Sequence, residues 1–399
     1  MPKGRNQSPF SCKKMNGKIA TLYLIGLIQG MSFTLIPGAS AFLTSSHGFH
    51  LTLKEYGQLF IPMIILSIVA SFFGGAIAKK WGIRRVSMLS GAFNVLSMIT
   101  FALTALYLEN GYIPLLICLL FLGSGFGANL ATLNSYVMQF FPNRPSAALT
   151  ALHATLGLGT ALGPLLFQLC LQLLYWWIAP LFLATTYLIL LYFTWAKFPL
   201  KLHLPESGSG GLLPRVWLFA LIALLYGICE TAFGNWTILF LKTSRGIGSE
   251  SASLSLSLFW ASITVGRVIS AIVATRISPY RIYALISLIL ITSLLLLDFT
   301  QLLFLPFILA GVGCSAFLPL TVSFAQRQDM RHAEFISGLI IAIYMSGYGI
   351  ASYGISWIQS FFNFQLPSLF LYLLIPATVL SLLAINSIWL KKSQSSRDI

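Results

Sequence analysis

The stretch RVWLFALIALLYGICETAFGNWTILFLK, residues 215–242, is an apolar run long enough to cross a bilayer as a helix, with one carboxylate, Glu230, well inside it. About 20 consecutive apolar residues span the hydrocarbon core at about 1.5 Å per residue. A carboxylate at that depth costs roughly 2.5 to 3.5 kcal/mol even on lenient insertion scales, so an acid kept there is read first as functional. Similar runs recur along the 399 residues, of which 57% are hydrophobic and 8% charged. A soluble domain carries about a quarter charged residues, so the composition excludes one. The chain reads as an all-α polytopic membrane protein, with twelve transmembrane helices expected at about 19–45, 56–78, 86–108, 112–138, 146–172, 175–196, 215–241, 251–275, 279–298, 301–326, 334–360 and 367–390.

Charge placement sets the expected topology. Of the 24 Lys and Arg residues, Lys54, Lys242 and Arg245 fall on one side of this arrangement and Arg267 falls inside a helix; all the others fall on the opposite side. Basic loops stay cytoplasmic, so both termini are expected there. A wrong number of helices would scramble the alternation. The net charge of +15 is thus accounted for by topology and attraction to anionic lipid, and implies no nucleic-acid partner. Lys13, Lys14 and Lys18 precede an apolar segment too long for a signal-peptide core and without an A-x-A-like exit, so the first helix is expected to stay as an anchor. Five scattered cysteines form neither a disulfide framework nor a metal spacing, and no cofactor or metal is implied.

Five segments are expected: a tail at 1–18, a six-helix bundle at 19–196, a cytoplasmic linker at 197–214, a second bundle at 215–390 and a tail at 391–399. The linker, KFPLKLHLPESGSGGLLP, is marked by its Pro, Gly and Ser content. A faint echo joins the halves, since GAIAKKWGIRR (75–85) and AIVATRISPYR (271–281) both follow the second helix of their six. Two parallel six-helix repeats can close alternately around a site at the bilayer midplane.

The segment Gly75–Arg85 resembles the loop between helices two and three of the major facilitator superfamily, with Lys79 where most members carry an acid. In that reading Gly75, Lys79, Lys80, Gly82, Arg84 and Arg85 form a conformational loop. Within the superfamily, GFGANLATLN (125–134), LHATLGLGTALGP (152–164), YGICETAFGNW (226–236), FWASITVGR (259–267) and FLPL (317–320) are similar to the fucose permease-like sugar:proton symporters. The resemblance implies a 6+6 fold in a bacterial inner (plasma) membrane, working as a monomer that couples a small-molecule solute to protons. Phe33 and Leu130 stand where fucose-type members place acids. Attention therefore shifts to Glu230.

Tyr226, Glu230 and Gly234 recur at four-residue spacing and share one helix face, so a phenol and a gap flank the carboxyl. Two readings stand: Glu230 exchanges a proton or binds solute, or it is a structural acid bonded to hydroxyls or paired with Arg267. Arg267, a permanent cation roughly 10 Å away in axial height at about 1.5 Å per residue, reads as a coupling or gating group or as a snorkelling one. Gln29, Asn129, Asn134, Asn235 and His153 are polar groups at bilayer depth, either interhelical glue or cavity lining. Trp236, Trp260, Tyr344 and Tyr348 are candidates for stacking on a sugar ring. Trp236 and Glu230 reach one cavity only if the helix bends near Gly234. Two alternatives to a proton-coupled uptake carrier remain. The Gly159-x-x-x-Gly163-Pro164 series resembles the helix-five signature of drug:proton exporters, and a membrane-embedded enzyme would need a catalytic constellation that the sequence does not show.

Overall fold

The computed structural model describes residues 9–108, 111–142, 145–200, 213–299, 301–329 and 332–395. Its helices are α1 (Pro9–Leu43), α2 (Leu53–Trp81), α3 (Ile83–Leu103), α4 (Tyr112–Phe140), α5 (Pro145–Leu173), α6 (Ile178–Lys197), α7 (Pro214–Arg245), α8 (Ser249–Val273), α9 (Pro279–Leu295), α10 (Leu305–Cys314), α11 (Phe317–Gln328), α12 (Ala333–Phe362), α13 (Leu366–Tyr372) and α14 (Leu374–Ser395). Twelve segments of the described residues are long and apolar enough to cross a membrane, which agrees with the number read from the apolar runs. The tenth span, Leu305–Gln328, consists of α10 and α11, and the twelfth, Leu366–Asn386, of α13 and α14. Large apolar side chains such as Ile65, Phe72, Leu188, Ile272 and Leu382 are exposed, as a lipid-facing surface requires.

Local chemistry sets the helix ends. Thr52 caps α2: its hydroxyl accepts from the Glu55 amide, while the Glu55 carboxylate accepts from the Thr52 amide. Proline opens α7, α9 and α10, where a missing N–H costs nothing. Left-handed Gly246 and Asn363 end α7 and α12. Several bounds depart from the sequence reading, the start of α1 most, at Pro9 rather than near 19. The first span stops at Leu43, before a tight turn in which Ser45 donates to the Phe42 carbonyl. Spans ten and twelve are each divided, at Ser315–Ala316 and at Leu373. Pro319 and Pro376 lie four residues after Ser315 and Tyr372, whose carbonyls therefore lose their intrahelical donors.

Helices α1–α6 pack mainly with one another, as do α7–α14, and the two sets meet along α1 with α7, α2 with α12 and α5 with α8. Lipid supplies no hydrophobic drive between helices, so close backbone approach and interhelical hydrogen bonds must hold them. The α1–α5 contact shows this most clearly. A Cβ on Gly159 would lie 1.9 Å from the Leu27 carbonyl oxygen, and the Thr34 hydroxyl crosses the seam to the Thr160 carbonyl at 2.9 Å. Between the two sets, Tyr56 bonds the Asn235 carbonyl at 2.9 Å and Gln172 bonds Glu250. Both bonds lie nearer the membrane face opposite the termini.

At the terminus-bearing face, Gly82 adopts a left-handed φ of +91° that only glycine takes without strain. The turn it makes lets Arg84 donate to the carbonyls of Trp195 and Phe198 at 3.2 and 3.3 Å, tying the loop to the end of α6. Lys79, Lys80 and Arg85 are exposed, and the surroundings of Gly75 lie outside the described residues. Of the expected linker, residues 201–212 also lie outside them. Phe198, just before, is buried against Tyr136 at 4.6 Å between ring centres.

Gly159→Ala should therefore lower the thermal unfolding midpoint of the purified protein, at a cost of about 1–3 kcal/mol for forced overpacking. Gly74→Ala should leave it unchanged, since a Cβ there meets nothing closer than 3.9 Å. Equal midpoints for the two variants would refute this account of the seam.

Candidate functional site

The centre of α7 carries the site. Gly227 admits α12: a Cβ there would lie 2.4 Å from the Tyr344 carbonyl oxygen, so the helices meet backbone to backbone. That approach brings Tyr344 to Glu230. The carboxyl is 3% exposed, and both of its oxygens are engaged. Oε1 accepts from the Tyr226 hydroxyl at 2.6 Å and Oε2 from the Tyr344 hydroxyl at 2.5 Å. Two O–H donors answer the charge that hydrocarbon depth would otherwise penalise. The Tyr226 ring is fully buried between Phe317 and Tyr344, with ring centres 5.5 and 5.6 Å away. Tyr344 is only half-buried, whereas Tyr226 and Glu230 are buried.

One turn further along the same face, a Cβ on Gly234 would lie 2.9 Å from the Trp260 ring. Trp260 of α8 thus stands beside the Tyr226–Glu230–Gly234 face, and its indole N–H has no hydrogen-bond partner among the described residues. The shared face expected from the four-residue spacing is present, and Tyr344 and Trp260 join it from other helices.

Arg267 does not pair with Glu230. Its Nε donates to the Ser315 carbonyl at 3.1 Å, although it is close enough to act electrostatically on both Glu230 and His153. His153 is partly buried on α5, which packs against α8.

Asn235, Tyr348 and Trp236 belong to a second cluster. Tyr348 donates to the Asn235 side-chain oxygen at 3.0 Å, and the Asn235 amide donates to the Ser352 hydroxyl at 2.8 Å. The Asn235 carbonyl takes the Tyr56 bond, and the Tyr56 ring meets Trp236 edge-on at 5.3 Å. Trp236 does not join Glu230 in one cavity: α7 is unbroken through Gly234, so Trp236 keeps the different face that about 100° per residue gives it. It packs where the two halves close.

Gln29 and Asn129 form a third cluster inside the first half. The Gln29 side-chain oxygen accepts from Asn129 at 2.8 Å and from Asn94 at 2.9 Å. These amides bind α1, α3 and α4 together, which is the glue reading. Asn134 is half-buried on α4, and its side-chain oxygen has no partner among the described residues. Phe33, at a position where fucose-type carriers place an acid, stacks on Phe126 at 4.6 Å and leans on Tyr348 at 5.5 Å, so that place is filled by aromatic packing. The sequence reading missed Asn94, Tyr56, Ser352 and Ser315. Asn94 carried a legible signal, an amide inside an apolar run, whereas the other three are ordinary residue types in membrane helices.

Comparison with known proteins gives a consistent picture. The profile of the Major Facilitator Superfamily matches residues 22–352. A glucose/mannose transporter, GlcP, of Bacillus subtilis is 23% identical over 322 residues, covering 74% of this chain and 78% of its own. An uncharacterised MFS-type transporter of Yersinia pestis is 25% identical over 300 residues, covering 73% and 76%. Among solved structures, the nucleoside transporter NupG, crystallised as a point mutant, superposes with a TM-score of 0.74 at 12% identity, covering 92% of this chain and 99% of that one. A bacterial homologue of the human lysosomal transporter Spinster, inward-facing and unoccupied, gives 0.67 at 13% identity, covering 95% and 96%.

Tyr56→Phe removes a hydrogen bond that joins the halves, worth about 0.5–1.5 kcal/mol. Spin-label distances between loops 44–52 and 246–248 should then shift toward the separated population by about two- to tenfold. An unchanged distance distribution would show that this bond does not hold the closure.

Proposed function

Because this chain belongs to the Major Facilitator Superfamily, and is thus an integral membrane transporter and not an enzyme, we propose that it takes up a small hydroxylated solute, a sugar or a close chemical relative, driven by protons through Glu230. The observation that carries the reading is the carboxyl held by two phenols. A solute hydroxyl can replace the Tyr344 hydroxyl on Oε2, exchanging one O–H donor for another with little loss. The unpartnered Trp260 N–H beside the same face offers a further donor, and its ring offers a surface for sugar C–H groups. A buried carboxyl that gains a proton loses its charge and turns one of its two acceptor oxygens into a donor, which weakens its hold on the phenols, and that is the change a proton-coupled carrier needs between its two states.

In this reading the bundles 19–196 and 215–390 rock about the site. The basic face with the termini is cytoplasmic, and the contacts around Tyr56 and Gln172 close the outer side. The glucose/mannose transporter among the relatives supports a sugar, and the nucleoside transporter among the structural neighbours also handles a hydroxylated solute. The Gly159–Gly163–Pro164 series, which suggested an exporter, is occupied in packing α5 on Leu27, Thr34 and Gly38 of α1. Helix packing alone therefore accounts for it.

The test is uptake of a labelled sugar panel, including glucose and mannose, into proteoliposomes under an imposed pH gradient. Wild type should accumulate one of the sugars, by about tenfold per pH unit for one proton per solute. Glu230→Gln should fall to the equilibrium level while retaining counterflow exchange. Accumulation by the variant equal to wild type would exclude Glu230 as the coupling group, and outward pumping of lipophilic cations would reverse the direction.

A further inference from the structure

Span ten is divided by a device built from residues on two helices. In an α-helix the carbonyl of each residue accepts from the N–H four residues on. For Ser315 that residue is Pro319, which has no N–H. The Ser315 carbonyl instead accepts from Arg267 Nε, on α8, at 3.1 Å. Helical bonding resumes at once, with the Leu320 amide donating to Ala316 at 3.1 Å. The fit is close. A Cβ on Gly266, next to Arg267, would lie 2.6 Å from Ser315 Cβ, so only glycine lets α8 near enough. The Ser315 hydroxyl is turned back to the Val312 carbonyl at 2.7 Å, which leaves the Ser315 carbonyl to Arg267.

We infer that Arg267 is a positioning residue that supplies the hydrogen bond missing at Pro319 and so keeps span ten divided into two segments. An orphaned carbonyl at this depth would be strongly disfavoured, and a guanidinium arriving from outside the helix removes the penalty without rejoining the segments. The division separates α11 from α10, and α11 is the segment that touches the site. Phe317, its first residue, stacks on Tyr226, whose hydroxyl holds Glu230. Further along, Thr321 and the Tyr283 hydroxyl hydrogen-bond at 2.5 Å, and Phe324 packs on Phe219. A tilt of α11 about Ser315–Ala316 is therefore passed to the carboxyl through one ring. The inference does not depend on the solute, the coupling ion or the direction of transport.

The test compares Arg267→Met, Pro319→Ala and the double variant in the purified full-length protein. One readout is the thermal unfolding midpoint. The other is the rate at which N-ethylmaleimide alkylates Cys314, the buried thiol beside the break, followed on its own peptide by mass spectrometry. Arg267→Met should lower the midpoint and speed Cys314 alkylation about tenfold or more, as expected for an unmet buried carbonyl. Pro319→Ala restores an N–H, so the double variant should return both readouts to within about twofold of wild type. An Arg267→Met variant indistinguishable from wild type overturns the inference, and so does a double variant as impaired as the single one, which would leave the charge of Arg267 as what matters. Rescue of Gly159→Ala by Pro319→Ala to the same degree would also overturn it, by showing a general stabilisation. If Arg267→Met yields no folded protein, recovery of folded protein in the double variant supports the inference and continued failure refutes it.

Discussion

Hydrocarbon offers no hydrogen bonds, so a polar group that this chain carries into the bilayer is penalised unless another part of the protein meets it. The Glu230 carboxyl is the most demanding of these groups, and two phenols from different helices answer it, one on each oxygen. Those bonds require α12 to lie against α7, which Gly227 permits, and require Tyr226 to be held upright, which Phe317 and Tyr344 do from either side. The same rule explains the Ser315 carbonyl and its arginine, and the Gln29, Asn94 and Asn129 amides that join three helices of the first half. These groups act as connectors, because an acceptor left unmet at this depth carries a penalty that a donor on a neighbouring helix removes.

The two halves share an architecture and differ in chemistry. Where the first half faces the centre, Phe33 and Phe126 stack and Phe33 leans across on Tyr348. The second half places Glu230, Arg267 and a series of hydroxyls at comparable depth. The buried carboxyl and the guanidinium thus belong to the second half, and the hydroxyl of Tyr56, reaching from α2 to the Asn235 carbonyl, ties the first half to the helix that carries the carboxyl. Glu230 and Asn235 stand little more than one turn apart on α7, so closure between the halves and occupation of the site act on the same helix.

Much of this was legible from residue order. Apolar runs and the alternation of basic loops predicted twelve spans, because burial in lipid demands both length and freedom from charge. The spacing of Tyr226, Glu230 and Gly234 predicted one face of α7, because a helix repeats about every 3.6 residues. What residue order could not show was the partner of each polar side chain. Trp236 reads as a neighbour of Glu230 along the chain and lies against Tyr56 in space. Arg267 reads as a natural counter-ion and is engaged by a backbone carbonyl that Pro319, far along the chain, leaves free.

The sequence by itself determined that this chain crosses a membrane many times, where its membrane spans lie to within a few residues, and which acid stands at depth. These are local properties, set by transfer free energy and backbone geometry within a single segment. Only the tertiary structure decided that both oxygens of that acid are covered by phenols, that the arginine caps a broken span, and that closure falls on Tyr56 and Asn235. Each of these depends on which helices are neighbours and at what rotation, and packing of the whole bundle settles that through contacts between residues far apart in the chain.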